Sequence, residues 1–169
     1  YREPNTIHDL FCMWGIDINN IHAVGGEGTY RFHDGKKFQR KDELTSEEIS
    51  LYGVWGSAID DVYIVGSHGT ILHFDGNEEG AWVAMESGTE EYLLSIWGSS
   101  SNDIFAVGDN ATILHYDGKS WSAMGSETDK YLTKVRGLRS DCIYAVGDDG
   151  LVIRFDGKKW NDMSLGEGA

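Results

Sequence analysis

The chain has 169 residues, with 14 Lys and Arg against 28 Asp and Glu, for a formal net charge of -14. So acidic a balance opposes sequence-independent nucleic-acid binding, which needs Lys and Arg to replace the counterions of phosphate, and it favours solubility and cationic partners. At 40% hydrophobic there is ample material for a core, but no apolar run approaches the roughly 20 residues of a membrane-spanning helix.

Residues 1–6 are a short polar lead-in broken at Pro4. From residue 7 the chain writes one small β-unit four times. Trp-Gly pairs at Trp14, Trp55 and Trp97 anchor three units, and Arg136-Gly137 stands in the fourth place. From each anchor to the Val of a Val-Gly (Val24, Val65, Val107, Val146) is 10 residues, and from there to the Asp of an Asp-Gly (Asp34, Asp75, Asp117, Asp156) is again 10. An aromatic follows: Phe38, Trp82, Trp121, Trp160. The period of 41, 42 and 39 residues, with several short strands in each, indicates propeller blades.

The repeats divide the chain into one domain, residues 1–169, with blades at about 7–48, 49–91, 92–130 and 131–164; the tail 165–169 is expected to fray. Each repeat holds four predicted strands, a to d, which in the second repeat cover 51–55, 62–65, 70–74 and 82–85. Alternation puts Leu51, Gly53 and Trp55 on one face of strand a and Tyr52 and Val54 on the other. Both faces are largely apolar, as expected of a sheet packed between two others. Pairs such as Glu27-Gly28, His68-Gly69 and Asp149-Gly150, with Asn110-Ala111 in the third repeat, suit two-residue b–c hairpins. Between a and b, Asn20, Asp61, Asp103 and Cys142 share one offset. One short polar side chain per repeat reads as a structural device bonding the turn backbone rather than as catalysis.

The stretch from Trp97 to Trp121, WGSSSNDIFAVGDNATILHYDGKSW, resembles the repeat of bacterial, mostly secreted or surface-exposed β-propellers, and is distantly similar to Asp-box (BNR) propellers. It departs from a true Asp-box in spacing, since Asp117 to Trp121 is D-G-x-x-W, one residue short. The resemblance implies an all-β fold and an extracellular or cell-surface location, and it implies no activity. The expected fold is four blades, each a four-stranded antiparallel sheet with strand a innermost. An open arc, part of a longer chain or pairing with a second copy into a larger ring, is favoured over a closed four-bladed ring. The chain opens at Tyr1 with no signal-like apolar segment, as a processed or excised piece would.

Departures from the repeat mark candidate functional positions. The fourth repeat carries Lys134, Arg136 and Arg154; the first carries Arg31 and His33 with the opposite strand-c parity. Lys134, Arg136 and Arg154 are read as end-capping or inter-blade contacts, with an anion site as the alternative. In a propeller the d–a and b–c connections share one rim, and here they hold Glu47, Glu48, Glu90, Glu91, Asp109, Asp148 and Asp149, whereas the c–d turns hold lysines. Variable loops on a fixed scaffold are where recognition resides, so these seven acids form the expected contact surface for a basic partner.

Chemistry is otherwise scarce. The six arginines are scattered, without the clamp a sialidase needs, and no HExxH, P-loop or G-x-S-x-G occurs. His73 and His115 read as half-buried strand residues. Cys12 and Cys142 lie outside any metal or haem motif and read as free thiols. The segments Asp148-Asp149-Gly150 and Gly108-Asp109-Asn110 lack a calcium-loop pattern, so no cofactor is expected and calcium is the weak exception. The expected function is a non-catalytic binding or structural module for a protein or glycan partner. The alternatives are a degenerate, sialidase-like glycan hydrolase and a blade segment of a larger surface assembly.

Overall fold

The computed structural model describes residues 8–40, 44–46, 48–76 and 81–164. The lead-in, Glu43, Glu47, residues 77–80 of the second repeat's longer c–d connection and the tail 165–169 lie outside the described residues. Each repeat forms one four-stranded antiparallel sheet in chain order. The first holds β1 (Leu10–Asp17), β2 (Asn20–Gly25), β3 (Tyr30–His33) and β4 (Phe38–Arg40); the second holds β5 (Leu51–Ala58), β6 (Asp61–Gly66), β7 (Ile71–Phe74) and β8 (Val83–Ala84). The third holds β9 (Leu93–Ser100), β10 (Asp103–Gly108), β11 (Ile113–Tyr116) and β12 (Trp121–Ala123). The fourth holds β13 (Leu132–Arg139), β14 (Cys142–Gly147), β15 (Val152–Phe155) and β16 (Trp160–Asp162). Strand a is longer than expected, because irregularities after Leu51 and Gly56 each absorb one residue and let pairing continue to Ala58↔Asp61.

Consecutive first strands pack on one another, β1 on β5, β5 on β9 and β9 on β13, while each fourth strand is an outer edge. The sheets therefore fan out from an inner row of first strands. Every sheet has a leading face, toward the sheet before it, and a trailing face, toward the sheet after it. Val24 and Tyr30 trail the first sheet and meet Leu51, Val54, Val62, Ile64 and Leu72 on the leading face of the second. The same joint recurs between the second and third sheets and between the third and fourth. Burying each such Leu, Ile or Val contributes about 1.5–3 kcal/mol, so these three joints are the core.

The Trp-Gly pair explains the joint. Trp14 lies over Gly56, Trp55 over Gly98 and Trp97 over Gly137, where an added Cβ would stand 2.7, 2.6 and 2.5 Å from the ring. Only glycine leaves the ring a seat. Further out, the strand-b aromatic of one sheet meets the strand-d Trp of the next nearly edge-on. The pairs are His22–Trp82 at 6.3 Å and 78°, Tyr63–Trp121 at 6.5 Å and 76°, and Phe105–Trp160 at 6.1 Å and 80°.

The row does not close. Leu51, Leu93 and Leu132 are 0% exposed, while Leu10 at the same repeat position is 52% exposed. Val24, Val65 and Val107 are 0% exposed, while Val146 is 40% exposed. The leading face of the first sheet and the trailing face of the fourth thus lack a neighbour among the described residues. Cys12 and Cys142, in those two end sheets, are free thiols.

The b–c turns have the expected two-residue form, with both residues at positive φ. His68 and Gly69 sit at φ 53° and 62°, closed by the Thr70 N–H donating to Ser67 O at 3.1 Å. A Cβ on Gly69 would collide with the Thr89 carbonyl. In the third repeat Ala111 stands in the glycine's place at φ 55°. A left-handed alanine costs about 1–2 kcal/mol, part of which glycine forfeits in unfolded-state entropy. Ala111→Gly is therefore expected to raise stability by about 0.5–1 kcal/mol, and Gly69→Ala to lower it, in urea denaturation.

His22 is the histidine buried beside the first joint. It is 3% exposed, within 5.2–6.3 Å of the Trp14, Tyr30, Phe32 and Trp82 rings, with Nδ1 2.9 Å from the Tyr30 hydroxyl and Nε2 unpartnered. Burial lowers its pKa from 6.5 to about 4. The unfolded chain takes up this proton near 6.5 and the folded chain only near 4, so stability is complete above 6.5 and declines as pH falls toward 4. A shift of that size is on the order of 3 kcal/mol. His22→Phe, the residue the third repeat uses, should flatten the loss of stability between pH 7 and 4.5; an unchanged slope would rule His22 out as its source.

Candidate functional site

Backbone hydrogen bonds build the rim that carries the acids. The b–c turns bond the d–a connectors: Ser67 N–H to Ser50 O, Gly69 N–H to Glu91 O, Asp109 N–H to Tyr92 O and Asp148 N–H to Tyr131 O, at 2.9–3.2 Å. Both sets of connections therefore lie on one side, as the topology requires, and they hold each other still. On the opposite side each c–d turn packs on its own a–b turn, with Gly35, Gly76, Gly118 and Gly157 against Asn19, Asp60, Asn102 and Asp141.

Of the seven expected contact acids, three interact. Asp109 is half-buried, and its carboxyl is held above the usual range by burial first and then by the Glu91 and Asp148 carboxylates. Asp149 pairs instead with Lys130 at 3.4 Å. Glu48 and Glu90 are exposed, and Glu47 lies outside the described residues. On the same rim His8 Nδ1 sits 3.4 Å from Glu27. No group of three or more His, Cys, Asp or Glu among the described residues is placed to hold a metal ion. The c–d turn acids are different in kind. Backbone N–H groups of Lys37 and Lys36 bond Asp34, those of Ser120 and Lys119 bond Asp117, and those of Lys159 and Lys158 bond Asp156, which lowers each carboxyl's pKa.

The a–b residues Asp61 and Asp103 bond side chains, not the turn backbone anticipated from their position. Asp61 accepts from Ser57 Oγ through one oxygen, and its other oxygen lies 2.7 Å from His73 Nε2; Ser99, Asp103 and His115 repeat this at 2.8 Å. The His73 ring stacks on Tyr63 at 4.1 Å, and His115 lies 4.5 Å from Phe105. Burial and then Asp61 raise the Tyr63 hydroxyl's pKa. The residue types are those of a hydrolytic triad in the wrong order. With the carboxylate in the middle, the imidazole cannot take the serine proton, so the chain acts as a clasp between strands a, b and c. Sequence reading missed it because its members stand 4 and 12 residues apart and meet only across the sheet.

The fourth sheet lacks the clasp, having Cys142 and Arg154 in its places. Arg136 Nη1 donates to Ile96 O of the third sheet at 3.1 Å and to Val135 O at 3.2 Å. Lys134 is exposed, and Arg154 is half-buried with Nε unpartnered. Arg31 is in the first sheet, at the other end of the row, and donates to Tyr30 O at 3.0 Å. The structure does not gather these arginines into a clamp.

The features above define a class: a four-bladed, open β-propeller arc with a rigid acidic rim. No family model matches the chain, and no curated protein matches it. Among solved structures it is similar to YCF48 bound to D1 peptide, with a TM-score of 0.74 and 17% identity over 94% of this chain and 54% of that one. It is also similar to YCF48 from Cyanidioschyzon merolae, with a TM-score of 0.66 and 12% identity over 96% of this chain and 61% of that one. The chain thus spans between about half and three-fifths of those chains' lengths, and at such identities the likeness is one of fold. No helix among the described residues is long and apolar enough to cross a membrane.

If the clasp is structural, Asp103→Ala should destabilise the fold by about 1–3 kcal/mol, by leaving His115 and Ser99 without their shared acceptor. A fluorophosphonate probe should leave Ser57 and Ser99 unmodified; stoichiometric labelling of either would make it a nucleophile.

Proposed function

We propose that this chain is a non-catalytic protein-binding module, and that the rim formed by the b–c turns and d–a connectors receives a basic segment of its partner. The observation that carries the reading is the fold likeness, over 94% of this chain, to a propeller solved with a peptide bound. Two features of the chain support the placement on the rim. Its backbone is fixed by turn-to-connector hydrogen bonds, so little ordering is needed on binding. Glu91 and Asp148 each repel Asp109 there, and a cationic segment would relieve that repulsion. A glycan, the other partner class expected from the sequence, has no observation here in its favour. Among the described residues the structure gathers no arginine clamp of the kind the sialidase-like alternative needs, and the serine–histidine–carboxylate groupings at Asp61 and Asp103 are the two clasps.

The test uses lysine-rich, neutral and glutamate-rich peptides of equal length, titrated against the chain at low and physiological salt. The lysine-rich peptide should bind tightest and weaken with salt, since exposed charges act over about 8–10 Å under physiological conditions. Neutralising Glu90, Glu91, Asp148 and Asp149 together should weaken it at least about tenfold and flatten the salt dependence. Equal affinity for the three peptides, or an unchanged affinity after neutralisation, would remove the rim from consideration and leave the lysine-bearing c–d turns as the next surface.

A further inference from the structure

Building on the rim as the site of a basic segment, we propose that this site selects arginine, whose guanidinium stacks on a row of exposed aromatic rings beside the acids.

Phe11, Tyr52 and Tyr92 form a run of near-parallel rings. Phe11 and Tyr52 lie 5.7 Å apart at 23°, Tyr52 and Tyr92 lie 6.1 Å apart at 29°, and His68 stands edge-on to Tyr92 at 5.4 Å. Parallel rings in full contact stand about 3.5–4 Å apart, so these are offset and each leaves part of its face open. Phe11 is 48% and Tyr92 38% exposed, and Tyr52 is half-buried. Tyr52 and Tyr92 sit on the second and third sheets, each with a sheet on either side, so an absent neighbour does not account for their exposure.

The row lies on the acidic rim for a local reason. Near its start every first strand has a pairing irregularity that skips one residue: Phe11, Tyr52, Leu94 and Thr133. A bulge re-aims the residue it leaves unpaired, and on the first two sheets that residue is aromatic. Leu94 and Thr133 serve the other two sheets, so the bulge itself does not call for a ring. The Phe11 ring leans over its own b–c turn, 3.7 Å from where a Cβ on Gly26 would stand, and His68 belongs to the next such turn.

The acids follow the same row. The first residue of each b–c turn donates its N–H to a connector carbonyl: Gly26 to Asp9, Ser67 to Ser50, Asp109 to Tyr92 and Asp148 to Tyr131. The main-chain bond is constant, and the side chains change together. Where the turn carries an aspartate, the connector carries an exposed tyrosine, Tyr131 being 47% exposed. The first two sheets make the bond with neither. At Tyr92 rings and carboxylates meet: Glu91 precedes it, Asp109 is bonded to its carbonyl, and the Glu91 and Asp148 charges act on Asp109. Lys130, the cation next to Tyr131, is taken up by Asp149 at 3.4 Å.

A guanidinium suits both halves of this surface. It is planar and weakly hydrated, so it stacks on a ring face while its edge N–H groups bond carboxylates as a fork. A lysine ammonium is a compact, strongly hydrated point charge that meets the acids without stacking on the rings. A neutral apolar segment would cover the rings but strip water from Glu91 and Asp109 without replacing it. Charge therefore excludes the apolar occupant, and ring geometry separates the two cations.

Two peptides of equal length and charge, alternating serine with arginine or with lysine, are titrated calorimetrically against the whole chain at physiological salt. The arginine peptide should bind about tenfold tighter. Tyr52→Ser with Tyr92→Ser should bring it down to the affinity of the lysine peptide, with unchanged far-UV circular dichroism. Equal affinities of the two peptides for the unaltered chain would overturn the selectivity and leave the rim reading standing. A preference that survives in the folded double variant would also overturn it, since the discrimination would then reside elsewhere. Binding of neither peptide would remove the rim reading and the selectivity together. If the double variant loses its circular dichroism, Tyr92→Leu, which keeps an apolar side chain without a ring face, takes its place under the same criteria.

Discussion

Everything in this molecule depends on a sheet with two apolar faces needing a neighbour on each. A four-stranded sheet of Val, Ile, Leu and aromatic residues forfeits burial on any face it turns to water, so stability resides in the joints between sheets rather than within them. The tryptophan on glycine is the most exacting part of that joint. Any side chain at Gly56, Gly98 or Gly137 would lift the ring and open the first-strand row on which the fan converges. The equal spacing from anchor to Val-Gly and from there to Asp-Gly follows from this, since a shifted residue would move every face-directed side chain to the wrong side.

Around the joints the repeat assigns each edge a different chemistry. On one rim the turns are locked to the connectors by main-chain hydrogen bonds, leaving side chains free to vary, and there the carboxylates accumulate. On the other rim the Asp of Asp-Gly is consumed by its own turn, and the glycine after it lies against the a–b turn. Acids of the same type are therefore spare on one side and structural on the other. The clasp extends this logic inside the sheet, where a carboxylate shared by a serine and a histidine ties three strands together in the two inner repeats and is absent from the outer two, at Asn20 and Cys142.

The end repeats show the same physics with one neighbour removed. His22 is neutral and buried because the second sheet covers it, whereas Tyr144 at the equivalent position is left in water. Arg136 bends back onto main-chain carbonyls where a tryptophan would reach forward onto a glycine.

The chain by itself determined the fold: four sheets, their strand order, the hairpin turns and the side on which the acids gather. Those features depend on short-range spacing and alternation, and each is written several times, so the errors of one copy are corrected by the next. Even the open row was legible, in the polar exceptions Arg31, Lys134 and Arg136 at the two ends. What only the tertiary structure decided is who meets whom at a distance. The spacing marked Asp61 and Asp103 as structural, but it did not show that a histidine 12 residues on closes the clasp. Composition counted seven rim acids, and only the folded connectors single out Glu91, Asp109 and Asp148 as interacting while drawing Asp149 to Lys130. A local pattern fixes where a side chain points; the sheet that comes to lie opposite fixes what it finds there.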